Sequence, residues 1–271
     1  MKKEQEYSKS TFNSVAQKYD EIEFFKISAG HVAQIIKREQ DEEVLDILDV
    51  ACGTGNVVLE CASCLPKASF DAIDISEGML AVAKENAQSR GLHNIDFHLK
   101  DITEMKLEKA YDIITCSYVL FFLPNAVTIL KVLTEQLKPN GKLIFTSFLK
   151  EAFSPTVNLL LPLLRKYGST SAKEYEVDKW ENLKNRADIE RLCREAGIKD
   201  FSIEAKIIRY DLTLDEWWEL LNNTGFKGML MELSSEDYER TKNELFEALD
   251  EYKNEANKIE LIADSWFVVV V

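Results

Sequence analysis

Two glycines and three acidic side chains stand where a chain usually handles a small polar ligand. In "LDVACGTGN", residues 48–56, an apolar run ends in Asp49 and passes into a turn holding Gly53 and Gly55. Asp74 closes a second apolar run, and Asp101 follows a third. A glycine-rich turn after a strand lets backbone amides approach a nucleotide-like ligand, and carboxylates accept from hydroxyls and pair with cations. The turn fits a dinucleotide poorly. In G-x-G-x-x-G the third glycine allows close helix packing, and here Val58, a β-branched residue, stands in its place. No G-K-[ST] follows, so it is not a P-loop.

The elements that must position these residues alternate. Residues 8–38 read as helical, with an apolar stripe at Phe12, Val15, Ala16 and Tyr19, and a charged link follows at Asp41 to Glu43. Val44–Val50 is a short apolar strand, the turn leads into a helix to about Leu65, and Phe70–Ile75 is a second strand. Ser76 caps a helix that runs to about Arg90, where Gly91 stops it. Ile95–Leu99 and Tyr111–Cys116 are further strands, Asn125–Leu137 is a helix, Pro139–Gly141 is a turn, and Lys142–Phe148 is a fifth strand. Such alternation implies an α/β fold with a parallel sheet, whose ligands bind beyond the carboxyl ends of the strands. Asp49, Asp74, Asp101 and Cys116 all lie at or just past such ends. Beyond Phe148 the pattern loosens into helical pieces over 151–183, a helix at Asp188–Ala196, a strand at Phe201–Leu212, a mostly helical insert over 213–260, and a last strand at Ser265–Val271.

Composition narrows the partners. Acids outnumber bases 47 to 33, a net charge of −14 that repels polyanions, so nucleic acid is a poor substrate. Hydrophobic residues make up 46% of the 271, enough for a real core. The N-terminus has no apolar signal region and no run reaches membrane length, which makes the cytoplasm the default compartment. The five cysteines form no disulfide framework; Cys61 and Cys64, although spaced C-x-x-C, fall on a helix, and His31, His93 and His98 offer no zinc spacing, so no metal is expected.

Five segments in order resemble the motifs of the class I S-adenosylmethionine-dependent methyltransferases: "LDVACGTGN", "FDAIDISEGMLAVAKENA", "LKDITEM", "YDIITCSYVLFFLPN" and "LKPNGKLIFTSF". "TFNSVAQKYD" is similar to the N-terminal helix of the ubiquinone/menaquinone-biosynthesis-like subgroup, and "DIERLCREAGIKDFSI" to the family's last helix and sixth strand. The resemblance implies a Rossmann-like seven-stranded, mostly parallel sheet with the last strand antiparallel, flanked by helices and carrying a helical cap. It divides the chain into N-terminal helices closing the cofactor site (1–43), a cofactor-binding core (44–150), a cap and substrate segment (151–186), and a C-terminal part of the core (187–271) carrying the insert 213–260.

The resemblance also implies residue roles toward S-adenosylmethionine. Asp49 faces the ammonium; Ala51, Gly53 and Gly55 form the turn, Ala51 replacing the family's first glycine; and Asp74 accepts from both ribose hydroxyls. Ile75 and Met79 line one adenine face and Ile102 the other, Asp101 accepts from the adenine amino group, and the chain at Cys116 offers a carbonyl. Tyr19 closes over the methionine end, and the faces of Tyr19, Tyr118 or Phe121 favour the sulfonium by about 0.5–2 kcal/mol. Methyl transfer is an in-line displacement that needs little beyond positioning. Tyr118, past the fourth strand, and His31, a possible base, are the catalytic candidates. An apolar roof of "FFLP", "NLLLPLL" and "GFKGMLM" implies a small organic acceptor, aromatic or apolar. The alternatives are a non-catalytic S-adenosylmethionine-binding protein and, less compatible with Val58, a nicotinamide-dependent oxidoreductase.

Overall fold

The computed structural model describes residues 2–39, 44–104, 109–123, 125–175 and 180–271. The link at Asp41 to Glu43 lies outside them, as do Met105 and Pro124 of the quoted motifs. Nine strands are described: β1 (Asp46–Val50), β2 (Ser69–Asp74), β3 (Ile95–Leu99), β4 (Tyr111–Ser117), β5 (Leu137–Phe148), β6 (Phe201–Lys206), β7 (Arg209–Leu212), β8 (Ile259–Ile262) and β9 (Ser265–Val270). Seven form one sheet in the order β3-β2-β1-β4-β5-β9-β6. β1 to β5 pair in parallel, and β9 runs antiparallel to both of its neighbours.

The helices are α1 (Lys2–Val15), α2 (Glu23–Glu39), α3 (Asn56–Cys64), α4 (Glu77–Ser89), α5 (Ala126–Glu135), α6 (Thr156–Lys166), α7 (Thr170–Glu174), α8 (Arg186–Glu195), α9 (Leu214–Asn222), α10 (Phe226–Met231) and α11 (Ser235–Leu249). A 3-10 turn, Ala16–Glu21, joins α1 to α2. Because side chains alternate along a strand, Ile47, Ile113 and Phe267 face α2 and α3, while Leu48, Ile114 and Val268 face α5 and α8. Both faces are covered, which is why these strands read as continuous apolar runs. A third apolar cluster, built on Phe24, Leu160, Trp217 and Leu245, unites α6, α9 and α11 into a cap. Ser76 caps α4 as expected, accepting from the Met79 amide at 3.1 Å.

Two local expectations are corrected. Pro139–Gly141 is not a free turn before the fifth strand but lies within β5: Leu137 pairs with Tyr111 and Lys142 with Ile113, so the intervening residues bulge. Gly141 permits this, since a Cβ there would lie 2.9 Å from the carbonyl oxygens of Lys138 and Tyr111. Likewise, Phe201–Leu212 is two strands, not one. The β6–β9 ladder stops at Lys206 and Ser265, and β7–β8 resumes as a separate pair at Arg209 and Ile262. At this corner the Asp264 carboxylate accepts from the Ile208 amide at 3.0 Å and from Arg209 at 2.6 Å, replacing ladder bonds with side-chain ones. β8 begins in the last two residues of the segment read as a helical insert and continues beyond it to Ile262.

Candidate functional site

At the carboxyl ends of β1, β2 and β4 a cavity opens whose walls include Tyr19, Ala51, Gly53, Asp74, Ile75, Met79, Asp101 and Ile102. The turn after β1 is left-handed at Ala51 (φ 54°) and Gly53 (φ 56°), which points the Gly53 amide at Asp74. Asp74 accepts from that amide and from the Ser76 amide, both at 2.8 Å, so its carboxylate is fixed. Burial pushes its pKa up from the ordinary range, opposed by these amides. Asp101 also lines the cavity, and its Oδ1 accepts from the Thr103 amide and hydroxyl at 2.7 Å, so it caps its own turn as well.

A smaller, adjoining cavity is bounded by Asp49, Ala51, Gly53, Asn56, Ser117, Tyr19 and Tyr118. Asp49 is only 2% exposed. The Thr115 hydroxyl donates to its Oδ1 at 2.7 Å, whereas its buried Oδ2 has no hydrogen-bond partner. Burial drives this carboxyl up to about 7, opposed by Thr115 and the Val58 amide. A buried carboxylate oxygen without a donor is what an incoming ammonium would satisfy.

Two expected site residues, Gly55 and His31, stand elsewhere. Gly55 does not line these cavities; it caps α3 at φ 90°, and a Cβ there would lie 3.1 Å from the Leu59 side chain, so its smallness serves helix packing. At Cys116, expected to contribute a backbone carbonyl, the side chain is buried in the cluster that holds Ile114, Leu130 and Phe145, and the next residue, Ser117, lines both cavities. His31 lies on the face of α2 that meets the far edge of the sheet: Nε2 is 2.8 Å from Glu204 on β6, and the ring packs edge-on against Phe267. It lines none of the cavities described here and is not placed to act as a base.

The N-terminal segment closes over the site through residues that sequence reading missed. Asn13 Oδ1 accepts from the Ser76 hydroxyl at 2.7 Å and the Gly78 amide at 2.9 Å. The Asp20 carboxylate accepts from the Thr54 hydroxyl, from Asn56 at 3.1 Å and from Asn86 at 2.6 Å. These two residues pin the end of α1 and the 3-10 turn after it onto the turns that follow β2 and β1. Gly228 lets α10 meet α1 closely: a Cβ there would lie 2.6 Å from both Thr11 Oγ1 and the Tyr7 ring.

Behind the first cavity lies another, walled by Phe24, Phe25, Phe121, Phe148, Phe153 and Phe226, with Tyr175, Asn182, Lys184 and Thr224 as further lining residues. Phe12, Tyr19, Tyr118 and Phe122 line both. Tyr118 adopts φ 54°, and its ring stacks on Phe148 with centroids 4.5 Å apart. Its hydroxyl is engaged with Ser28 at 3.0 Å and Ser265 at 2.8 Å, and Ser265 in turn donates to the Ala263 carbonyl. Burial raises the phenol to about 12. The ring forms a wall, and the hydroxyl is bound into the interior.

A family model described as a methyltransferase domain matches residues 41–197. The chain is 30% identical over 203 residues to a demethylmenaquinone methyltransferase of Lactococcus lactis subsp. lactis, covering 69% of this chain and 79% of that one. It is 34% identical over 150 residues to a malonyl-[acyl-carrier protein] O-methyltransferase of Halalkalibacterium halodurans, covering 52% of this chain and about half of the relative, 55%. In three dimensions it matches the YcgJ protein of Bacillus subtilis with a TM-score of 0.59 at 16% identity, over 88% of this chain and 97% of the other. The fold, the paired carboxylates at strand ends and these matches agree: the chain belongs to the methyltransferase-domain family and is an S-adenosylmethionine-dependent methyltransferase.

Proposed function

We propose that the carboxylate-lined cavities hold S-adenosylmethionine and that the aromatic cavity holds a small, largely apolar, aromatic acceptor. The observation that carries this reading is the juxtaposition of the two: four aromatic residues, Phe12, Tyr19, Tyr118 and Phe122, belong to both walls. In this assignment Asp49 Oδ2 receives the ammonium and Asp74 accepts from the ribose diol. Ile75, Met79 and Ile102 pack on the adenine, and Asp101 accepts from its amino group. The bound cofactor supplies a sulfonium-activated methyl group open to in-line displacement.

The chain's own residues position and exclude. The faces of Tyr19 and Tyr118 favour a cation between the two cavities. The phenylalanine walls keep water from the reacting centre and hold a planar acceptor in line, and such orientation supplies much of the rate in a bimolecular displacement. With Tyr118 bonded to Ser28 and Ser265, and His31 at the sheet edge, neither is assigned proton transfer. A ring-bearing acceptor also fits the name of the demethylmenaquinone relative. The net charge of −14 supports an acceptor other than nucleic acid. Among the described residues no helix is long and apolar enough to cross a membrane.

The test uses methyl-labelled S-adenosylmethionine with fractionated small-molecule extract, read by mass spectrometry, and Asp74→Ala as control. A labelled apolar product absent from the control is the expected result. Label appearing only on polar, non-aromatic compounds would refute the acceptor assignment.

A further inference from the structure

We propose, taking the aromatic cavity as the acceptor site, that Phe153 sets how long an acceptor is admitted and bars one that carries a substituent opposite its nucleophilic atom. The residue stands after β5, between a turn in which the Ala152 amide donates to the Leu149 carbonyl and the start of α6, and it adopts φ 65°. A bulky side chain is disfavoured in this left-handed region, where glycine fits freely. The Phe153 amide donates to the Ile262 carbonyl of β8 at 2.7 Å, and its carbonyl accepts from the Val157 amide of α6 at 2.9 Å, so the conformation is held from both sides.

The strain has company. Among the described residues the bulky side chains at positive φ are Tyr118, Phe153 and Leu183. The first two line the aromatic cavity, and the third stands between its lining residues Asn182 and Lys184. Backbone strain of this kind clusters where a fold must aim a side chain at a ligand.

The surrounding rings show which end of the ligand Phe153 meets. The four aromatic residues shared with the cofactor cavity mark the end where the methyl group arrives, and Phe153 is not one of them. Its ring lies edge to face with Phe148, centroids 4.8 Å apart, and Phe148 stacks on Tyr118, so Phe153 is one ring farther from the methyl donor. Edge contacts with Phe24 at 5.7 Å and Phe226 at 5.8 Å fix it on two further sides. A ring packed against three others, on a backbone bonded at both ends, does not swing aside without loss of those contacts. An acceptor that presents its nucleophile to the shared residues meets this ring with its far end.

The full-length protein, saturated with S-adenosylhomocysteine, is titrated with 2-naphthol and 6-butyl-2-naphthol, followed by fluorescence. The wild-type protein is expected to bind 2-naphthol at least tenfold more tightly than the butyl compound. Phe153→Ala is expected to gain at least tenfold for the butyl compound while shifting 2-naphthol less than threefold. Phe153→Gly, which suits the left-handed backbone, is expected to do the same, and Phe153→Leu, which keeps apolar packing, to fall between. Equal affinity of the wild type for the two compounds would overturn the proposal and leave the acceptor site standing. So would variants that weaken both compounds alike, the result of lost core packing alone. Binding of neither compound by a protein that holds S-adenosylhomocysteine would overturn the acceptor site as well, and failure to bind S-adenosylhomocysteine would overturn the cofactor assignment.

Discussion

Asp49 places a cost on the unliganded fold that pH can reveal. Its carboxyl has an ordinary value of 3.8 and stands at about 7 when buried at the end of β1. A folded-state value above the unfolded one means that stability is fully present below pH 3.8 and is lost as pH rises through 7. At pH 8 the whole interval counts against the folded state, about 4 kcal/mol at 1.36 kcal/mol per unit. At pH 5 the group is neutral when folded and mostly ionised when unfolded, and the cost falls to about 1–2 kcal/mol. Asp49→Asn removes the titration. Its amide oxygen still accepts from Thr115, while the new N–H₂ replaces an oxygen that had no partner, a pH-independent penalty of about 1–3 kcal/mol. The absolute gap between variant and wild type therefore includes that offset, but its slope does not. Urea denaturation at pH 5, 6, 7 and 8, without cofactor, should show the variant gaining about 2–3 kcal/mol on the wild type across the series. Calorimetric titration of the same variant should show cofactor binding lost. A gap that stays flat with pH would refute the idea that burial of this carboxyl is what the cofactor's ammonium relieves.

Asp20→Ala removes the acceptor shared by Thr54, Asn56 and Asn86, so amide exchange over residues 8–21 should quicken about tenfold or more while β1 and β4 keep their protection; uniform exchange across the chain would contradict a local clamp. Gly228→Val drives a side chain into Tyr7 and Thr11, and thermal denaturation should register a loss of about 1–3 kcal/mol together with weaker cofactor binding, because α1 must move away from α10.

The parts of this fold legible in the sequence are those fixed by neighbours along the chain. The apolar runs of β1, β2 and β4, the Ser76 cap and the left-handed turn at Gly53 are local in origin, and the strand-end rule then gathers Asp49, Asp74 and Asp101 without further information. Features that depend on distant partners stayed hidden. The corner that divides β6 from β7 is made by Asp264, 56 residues beyond the Ile208 amide it accepts from. Asn13 and Asp20 look like ordinary polar faces of a helix until the turns at Ser76 and Thr54 are brought beside them. His31 shares the apolar face of α2, and only the position of β6 reveals that Glu204, not the cofactor cavity, is its neighbour. Gly55 belongs to the motif but answers to Leu59 and Ala83, a packing demand the motif does not separate from ligand approach. Phe153 carries no motif; it is found only when Phe24, Phe148 and Phe226, from three regions of the chain, are seen to share a cavity with it.

The place of β9 between β5 and β6 has a consequence for how the molecule is made. β6 reaches the large sheet only through β9, and β5 meets β9 along six residues, Leu143–Phe148, rich in apolar side chains. A nascent chain that has emerged as far as Phe148 can assemble β1 to β5, glycine turn included, yet it presents the unpaired rim of β5 to every other polypeptide nearby. Translation of the stretch from Phe148 to Ser265 takes roughly 5–25 s at ordinary elongation rates. Throughout that interval a five-stranded portion of the sheet, if formed, would keep an open border that invites association. Stalling within it would expose the newborn protein to misassociation far more than stalling earlier or later.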